Sequence, residues 1–269
     1  MIRCKNWILV ERYKDQREKY EEYTSSASKS KIEFALTKTN ETDIKILKLI
    51  HRMKIINSSQ ISKVVFKDTK YPTKYCNNHL KKLFELGCID RFFPLTESGY
   101  PQSHVVLAPI GAKIIQIDNF KKITDLSMKW RHTVARSELF SNIFNKKVIT
   151  EWKPELTLEW EERNNKNFII TDVFCGWISK DDEMFGMFEI DLGTEKIKQL
   201  QSKIKNYHKY FNSSEFKKAN WQPYEGLAVI PKIIFVLNDE QRAESLRKFN
   251  DNFNSNVHFS IQTFDNFEI

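Results

Sequence analysis

Hydrophobic side chains recur at helical spacing in three successive segments of the first half of the chain. The first segment runs from about residue 43 to 53, and the second follows Asn57 and Ser58, which are good helix N-caps. The third begins near Pro72, a residue favoured in a first helical turn, and stops at Gly87, a residue favoured just beyond a helix end. The pattern therefore predicts three consecutive helices.

After the third helix the pattern changes from helical to extended. Residues 88–93 and 103–107 are typical of two strands, and the turn between them carries a serine, a glycine and prolines. A short helix is expected to follow from Pro109. Three helices and a hairpin in this order predict a winged helix-turn-helix over residues 41–118.

The second half of the chain mixes strand patterns with helix patterns. Strands are predicted at 148–152, 168–178, 184–191, 232–237 and 257–261, and helices at 128–145, 194–211 and 239–249. Because the two kinds of element intermix, residues 128–269 predict a second, α/β-type domain. Residues 1–40 are interpreted as an N-terminal arm followed by a polar linker.

Charge is distributed unevenly between these two regions, although the whole chain is basic with a net charge of +8. Residues 43–93 contain eleven lysines and arginines but four acidic residues. Residues 151–198 reverse the balance, with six basic and twelve acidic residues. A basic block beside an acidic block indicates two domains with different tasks, and the basic block favours a nucleic acid as its partner.

The cysteines and the charged N-terminus bear on the location of the protein. The four cysteines are Cys4, Cys76, Cys88 and Cys175, and no two of them have the close spacing of a zinc or redox motif. Charged residues interrupt any apolar run near the start, and no segment is long enough to span a membrane. We therefore expect a protein of a reducing cytoplasm, in which the cysteines are buried thiols, without a membrane partner.

The third predicted helix has the polar and basic face that a DNA recognition helix needs, because asparagine can read adenine and lysine can reach guanine or phosphate. Lysines of the preceding helix would contact the DNA backbone, and the hairpin would contact phosphate or the minor groove. The candidate DNA-binding residues are Lys63, Lys67, Lys70, Thr73, Lys74, Asn77, Asn78, Lys81, Lys82, Arg91, Gln102, Ser103 and His104.

A second candidate site lies in the acidic block. Glu189 and Asp191 are two residues apart on a predicted strand and would share a face, and Asp172 lies on the strand before it. Carboxylates held close together repel unless a cation neutralises them, and several oxygens suit Mg²⁺. Lys203 on the following helix could lean toward these acids. The alternative is a solvated strand end with Glu195 as a favourable charge at the helix N-terminus.

Over about residues 43–249, the chain resembles the replication-relaxation family of plasmid and mobile-element proteins. The motifs that carry the resemblance are Leu83-Phe84-Glu85-Leu86-Gly87-Cys88-Ile89-Asp90-Arg91, Pro109-Ile110-Gly111-Ala112, His132, Thr171-Asp172, Glu189-Ile190-Asp191-Leu192-Gly193-Thr194-Glu195, and the spacing from Lys203 to Tyr207. The resemblance implies a DNA-binding protein linked to plasmid replication or relaxation, and therefore a bacterial protein associated with a nucleoid or plasmid.

The second domain also resembles the PD-(D/E)XK nuclease fold, a mixed sheet with helices. That likeness implies Asp172, Glu189 and Asp191 as metal ligands for Mg²⁺ or Mn²⁺, and Asp172, Glu189, Asp191 and Lys203 as the catalytic residues if the domain is active. Asp191 stands where the family has a lysine that steadies the attacking water. Lys203 could replace that lysine, or the fold could be non-catalytic.

Three functions stay open from the sequence. The first is a non-catalytic protein that binds double-stranded DNA and acts as a replication initiator, relaxation accessory or repressor. The second is a metal-dependent nickase or nuclease that the winged helix targets to DNA. The third is a protein-interaction scaffold whose winged helix never meets DNA. We expect a homodimer, by analogy with other winged-helix proteins, and other replication or relaxation proteins as partners.

Overall fold

The computed structural model describes residues 27–92, 104–123, 130–254 and 256–269. The chain divides into two compact units, with the boundary between Asn145 and Lys146. The predicted N-terminal arm up to residue 26, and Gln102 and Ser103 of the predicted hairpin, lie outside the described residues. No helix in the described ranges is both long enough and apolar enough to cross a membrane.

The first unit is mainly helical with one small sheet. Its elements are α1 (Lys29–Lys38), α2 (Glu41–Met53), β1 (Ile56–Asn57), α3 (Ser58–Val65), α4 (Pro72–Glu85), β2 (Ile89–Phe92), β3 (His104–Leu107), α5 (Pro109–Ile114) and α6 (Trp130–Lys146). The three strands are antiparallel in the order β1-β3-β2. The helices predicted near residues 43, 58 and 72 are confirmed to within a few residues.

Local hydrogen bonds explain where these helices begin. The side chain of Asn40 accepts from the backbone N–H of Asp43, and the Asp43 carboxylate accepts from the N–H of Asn40, so the two form a capping box at α2. Asn57 and Gln60 form the same box at α3. In α4 the first helical residue is Pro72, which needs no N–H partner at that position.

A glycine allows α5 to pack closely on the end of β2. The backbone carbonyl of Cys88 accepts from the N–H of Ala108 at 3.0 Å. A Cβ atom at Gly111 would lie only 2.2 Å from that same carbonyl oxygen. The helix can therefore occupy this position only if residue 111 has no side chain.

The second unit is built on a larger sheet. Its elements are β4 (Val148–Glu162), β5 (Asn165–Ser179), β6 (Asp182–Asp191), α7 (Ile197–Asn212), a 3₁₀ turn (Glu215–Lys218), β7 (Lys232–Leu237), α8 (Glu240–Asn250) and β8 (Phe259–Thr263). The five strands lie in the order β4-β5-β6-β7-β8. The first three are antiparallel, and β7 and β8 join as parallel strands.

The topology of this sheet follows from its connections. Arg163 and Asn164 both have positive φ and close the long β4–β5 hairpin. The parallel strands instead need crossover connections, which α7 and α8 provide. Buried side chains of both helices, including Leu200 and Leu246, pack with Phe235 in one core cluster. The unit is therefore a mixed sheet with helices, and the whole chain is an α and β protein.

The main differences from the sequence prediction are in β4 and α1, and the short strand β1 was not predicted. Strand β4 continues to Glu162 rather than ending near residue 152, although Pro154 and several charges interrupt its pattern. Its outer part is held because Leu158 and Trp160 are buried. Helix α1 begins at Lys29, inside the segment predicted to be a polar linker, and buries Ala35.

The close approach at Gly111 yields a stability prediction. Gly111→Ala should destabilise the first unit by about 3 kcal/mol, because the new methyl group must push the Cys88 carbonyl aside. Hydrogen exchange of peptides from β2 and α5 would report this opening. Lys113→Ala, at an exposed position of the same helix, is the matched control and should change exchange little. Equal protection in the two variants would contradict the packing described.

Candidate nucleic-acid interface and carboxylate cluster

The outward face of α4 and the turn before it carry an exposed set of polar and aromatic side chains. We call this set the α4 face. It consists of Lys67, Lys70, Tyr71, Thr73, Lys74, Tyr75, Asn77, Asn78 and Lys81, all of which are exposed. The opposite side of α4 buries Cys76, Leu80 and Leu83. The helix therefore presents one basic, amide-bearing face to solvent while its other face holds it in the core.

A buried carboxylate fixes α4 against α2. Asp43 is fully buried, and its Oδ1 atom lies 2.7 Å from Nδ1 of His79. Its Oδ2 atom forms an ion pair with Lys82. The ring of His79 also lies against Phe66, with ring centroids 5.5 Å apart. Two side chains of α4 are thereby tied to the N-terminus of α2, and Lys82 is engaged within the unit.

Three other predicted DNA-binding residues also contact the first unit itself. Lys63 forms an ion pair of 2.8 Å with Glu138, which also accepts a hydrogen bond from the Gln60 amide. Arg91 lies 5.3 Å over the ring of Phe84. His104 is 4% exposed and packs edge-on against Trp130. The structure therefore does not place Lys63, Arg91 or His104 on the α4 face.

Sequence reasoning missed the two tyrosines of this face. Tyr71 is 52% exposed and Tyr75 is 45% exposed, which is unusual for aromatic rings on a helix that packs in a core. Lys70 lies 5.4 Å over the ring of Tyr71. The signal was available, because both positions fall outside the apolar stripe of Cys76, Leu80 and Leu83 at helical spacing.

The second site surrounds Glu189 at the end of β6. Glu189 is 1% exposed, and both of its carboxylate oxygens accept hydrogen bonds. Oε2 accepts from the ammonium group of Lys203 at 2.9 Å, and Oε1 accepts from the hydroxyl of Tyr207 at 2.5 Å. Lys203 also forms an ion pair of 2.9 Å with Glu195. The ammonium group of Lys203 on α7 therefore contacts two of the acidic side chains, Glu189 and Glu195.

The protonation behaviour of this cluster follows from its burial. Burial raises the pKa of Glu189 to about 7, and the Asp172 charge adds to the rise, while Lys203 and Tyr207 oppose it. Burial alone would lower the pKa of Lys203, but the charges of Glu189, Asp172 and Glu195 outweigh it and hold that pKa above its usual range. Lys203 is therefore a persistent cation at neutral pH.

The other two predicted acids have separate partners. Asp172 accepts a hydrogen bond of 2.7 Å from the backbone N–H of Ile190, so it lies beside the end of β6. Asp191 is 2% exposed and forms an ion pair of 2.6 Å with Arg242 of α8. The structure thus brings Asp172, Glu189 and Lys203 together, and it gives Asp191 a different counter-ion.

These contacts compete with a divalent cation. Mg²⁺ binds carboxylate oxygens, and those of Glu189 already accept hydrogen bonds from an ammonium group and a hydroxyl group. Arg242 similarly occupies Asp191. Within the described ranges no group of three His, Cys, Asp or Glu side chains is arranged to hold a metal ion. The cluster as arranged is an ion-pair and hydrogen-bond network.

The cluster yields a pH-dependent stability prediction. A Glu189 pKa near 7, above its usual 4.5, means that this group favours the folded state most at low pH and that the benefit disappears as the pH rises through 7. Lys203→Met removes the cation that the ionised form needs. The variant should lose about 3 kcal/mol at pH 8, typical for a broken buried pair, and clearly less at pH 6.

Urea unfolding at the two pH values measures this difference. Lys209→Met is the matched control, because Lys209 lies on the same helix and pairs with the exposed Glu162, so it should change stability little at either pH. An equal loss for Lys203→Met at both pH values would show that Glu189 does not titrate in this range.

Comparison with known proteins places the chain in a family. A family model described as replication-relaxation matches residues 47–223, which is more than half of the chain. No curated protein matches, and no solved structure matches. The matched region contains all of the α4 face together with Asp172, Glu189 and Lys203. The extent of the match shows that this chain belongs to the replication-relaxation family, and this membership suggests a role in plasmid or mobile-element replication or relaxation.

Proposed function

We propose that the first unit is a winged helix-turn-helix that binds double-stranded DNA, and that the protein thereby acts in the replication or relaxation of a plasmid or mobile element. The observation that carries this proposal is the α4 face. Its four lysines and two asparagines are exposed on a helix that is anchored through Asp43. A rigid helix with such a face is what insertion into a DNA major groove requires.

Charge supports DNA rather than protein as the partner of this face. In α4 and the turn before it, Lys67, Lys70, Lys74 and Lys81 are exposed, against the two exposed acids Asp68 and Glu85. Lysines at this density would neutralise phosphates and release counterions, which supplies most of the affinity of a DNA-binding protein. A protein-binding scaffold would need no such excess, so we rank that function below DNA binding.

We further propose that the second unit has a PD-(D/E)XK-like fold whose acidic cluster stabilises the sheet rather than cutting DNA. Support for the fold comes from Asp172 and Glu189 on neighbouring strands, with Lys203 reaching Glu189 from α7. Support for a structural role comes from the hydrogen bonds that both Glu189 oxygens accept from Lys203 and Tyr207. If the cluster is structural, the second unit binds partner proteins or forms the dimer.

The nuclease remains a second candidate because Asp172, Glu189 and Lys203 converge. Incubating the protein with supercoiled plasmid, in the presence of Mg²⁺ or Mn²⁺, separates the two functions on a single gel. We expect a mobility shift without nicking. Metal-dependent nicking that disappears in Glu189→Gln and in Asp172→Asn would establish the nuclease and contradict the structural role.

The DNA-binding proposal predicts the effect of charge reversal on α4. Lys74→Glu with Lys81→Glu should weaken binding to duplex DNA by at least tenfold at moderate salt, because two phosphate contacts become repulsive. The slope of log affinity against log salt should fall by about 2, about one for each lost contact. Fluorescence anisotropy over a salt series measures both quantities.

The control for charge reversal is Lys48→Glu, an exposed lysine of α2 outside the α4 face. It should leave the salt slope unchanged, apart from a small long-range effect on affinity. If Lys48→Glu and the α4 double variant weakened binding equally, the effect would reflect net charge, and the α4 face would lose its assigned role.

The proposal includes a homodimer on a repeated or palindromic site, since symmetric proteins bind symmetric half-sites. Sedimentation of the full chain with and without duplex DNA tests this part. A dimer mass in either condition is the expected result, and a monomer in both conditions would contradict it without affecting the DNA-binding proposal.

A further inference from the structure

The α4 face has a composition that selects among base pairs. We propose that it reads A·T base pairs in the major groove, with the amides of Asn77 and Asn78 on adenine and the rings of Tyr71 and Tyr75 against thymine methyl groups. This inference rests on the proposed DNA-binding function, and it adds the class of sequence that the site recognises.

The helical spacing places these side chains side by side. Lys74 and Asn78 are four residues apart on the exposed side of α4, and Tyr71 is the residue just before the helix. Tyr75 is one turn after Tyr71 and three residues before Asn78. The Asn78 amide would therefore have the Tyr75 ring one turn before it and Lys81 one turn after it.

The amides are available for base contacts. Adenine presents the N7 acceptor and the N6 donor in the major groove, and a carboxamide matches both of them. Asn77 and Asn78 are exposed, and neither side chain forms a hydrogen bond with another group in the part of the chain that the structure describes. Their donors and acceptors can therefore turn toward a base without breaking an internal contact.

The tyrosines account for the second half of an A·T pair. Thymine is the base that presents a methyl group in the major groove, and apolar contact with that methyl is a specific signal. Tyr71 and Tyr75 keep about half of their surface exposed in the free protein. Covering these rings with thymine methyl groups would remove apolar surface from water, which favours binding.

The rest of the helix argues against G·C recognition. Guanine is read by arginine or lysine, and of these two α4 contains only lysine. Cytosine is read by acidic side chains, and the single acidic residue of α4 is Glu85, at its last position and 3.9 Å from Lys81. The lysines of the face are flexible point charges that suit phosphates. The asparagines and tyrosines are thus left to read the bases.

Selection from a random duplex library with the full chain tests the proposal. We expect enriched sites with A·T pairs at the positions that α4 contacts. Replacing each thymine of such a site with uracil removes the methyl group and preserves base pairing. This change should weaken binding by about fourfold for each methyl group that the protein covers, because that factor corresponds to the burial of one CH₂ group.

Variants assign the effect to named residues. Tyr71→Ser with Tyr75→Ser should bind thymine and uracil duplexes equally well, because the rings that sense the methyl group are gone. Asn77→Ala with Asn78→Ala should lose the preference for A·T over G·C while keeping its salt slope. Tyr224→Ser, at an exposed tyrosine of the second unit, is the matched control and should discriminate as the wild type does.

The outcomes separate this inference from the function beneath it. Enriched sites with G·C at the contacted positions, or equal binding of thymine and uracil duplexes by the wild type, would overturn A·T reading while leaving DNA binding intact. Failure to bind or enrich any duplex would overturn both proposals. Circular dichroism of each variant confirms that a lost preference is not a lost fold.

Discussion

The first unit depends on one buried carboxylate. The Asp43 carboxylate caps its own helix by accepting from the N–H of Asn40. It also forms a hydrogen bond with His79 and an ion pair with Lys82 of α4. An uncompensated charge in the interior would cost several kcal/mol, so the arrangement is stable only when all of these donors are in place. The position of α4, and therefore of every exposed side chain on it, is set by this group together with the buried Cys76, Leu80 and Leu83 of its inner face.

The second unit repeats the same physical logic at a different place. Glu189 is buried at the end of β6 and accepts hydrogen bonds from Lys203 and Tyr207, which tie α7 to the sheet. Asp191 does the same for Arg242 of α8. Each crossover helix that joins the parallel strands is thus fastened to β6 by a buried acid.

Features that depend on local contacts could be predicted from the sequence, whereas contacts between residues distant in sequence could not. The starts of α3 and α4 could be predicted because Asn57 and Pro72 act within one helical turn. The partner of Lys82 could not, because Asp43 is distant in sequence and the spacing of Lys82 is that of an ordinary surface lysine. The helical spacing of Tyr207 with Leu200, Ile204 and Phe211 predicts a core position, and spacing could not reveal that its hydroxyl reaches Glu189. The outer part of β4 was missed because Pro154 and glutamates conceal the alternation of Leu158 and Trp160.

The β4–β5 hairpin has a consequence for how the second unit forms. Its two strands are neighbours in sequence and meet at Arg163 and Asn164, so their pairing needs little loop-closure entropy. The parallel pairing of β6 with β7 joins distant segments and requires α7 to be in place between them. Contacts of low sequence separation form fastest, so we expect this hairpin to be the folding nucleus on which the crossover helices later dock.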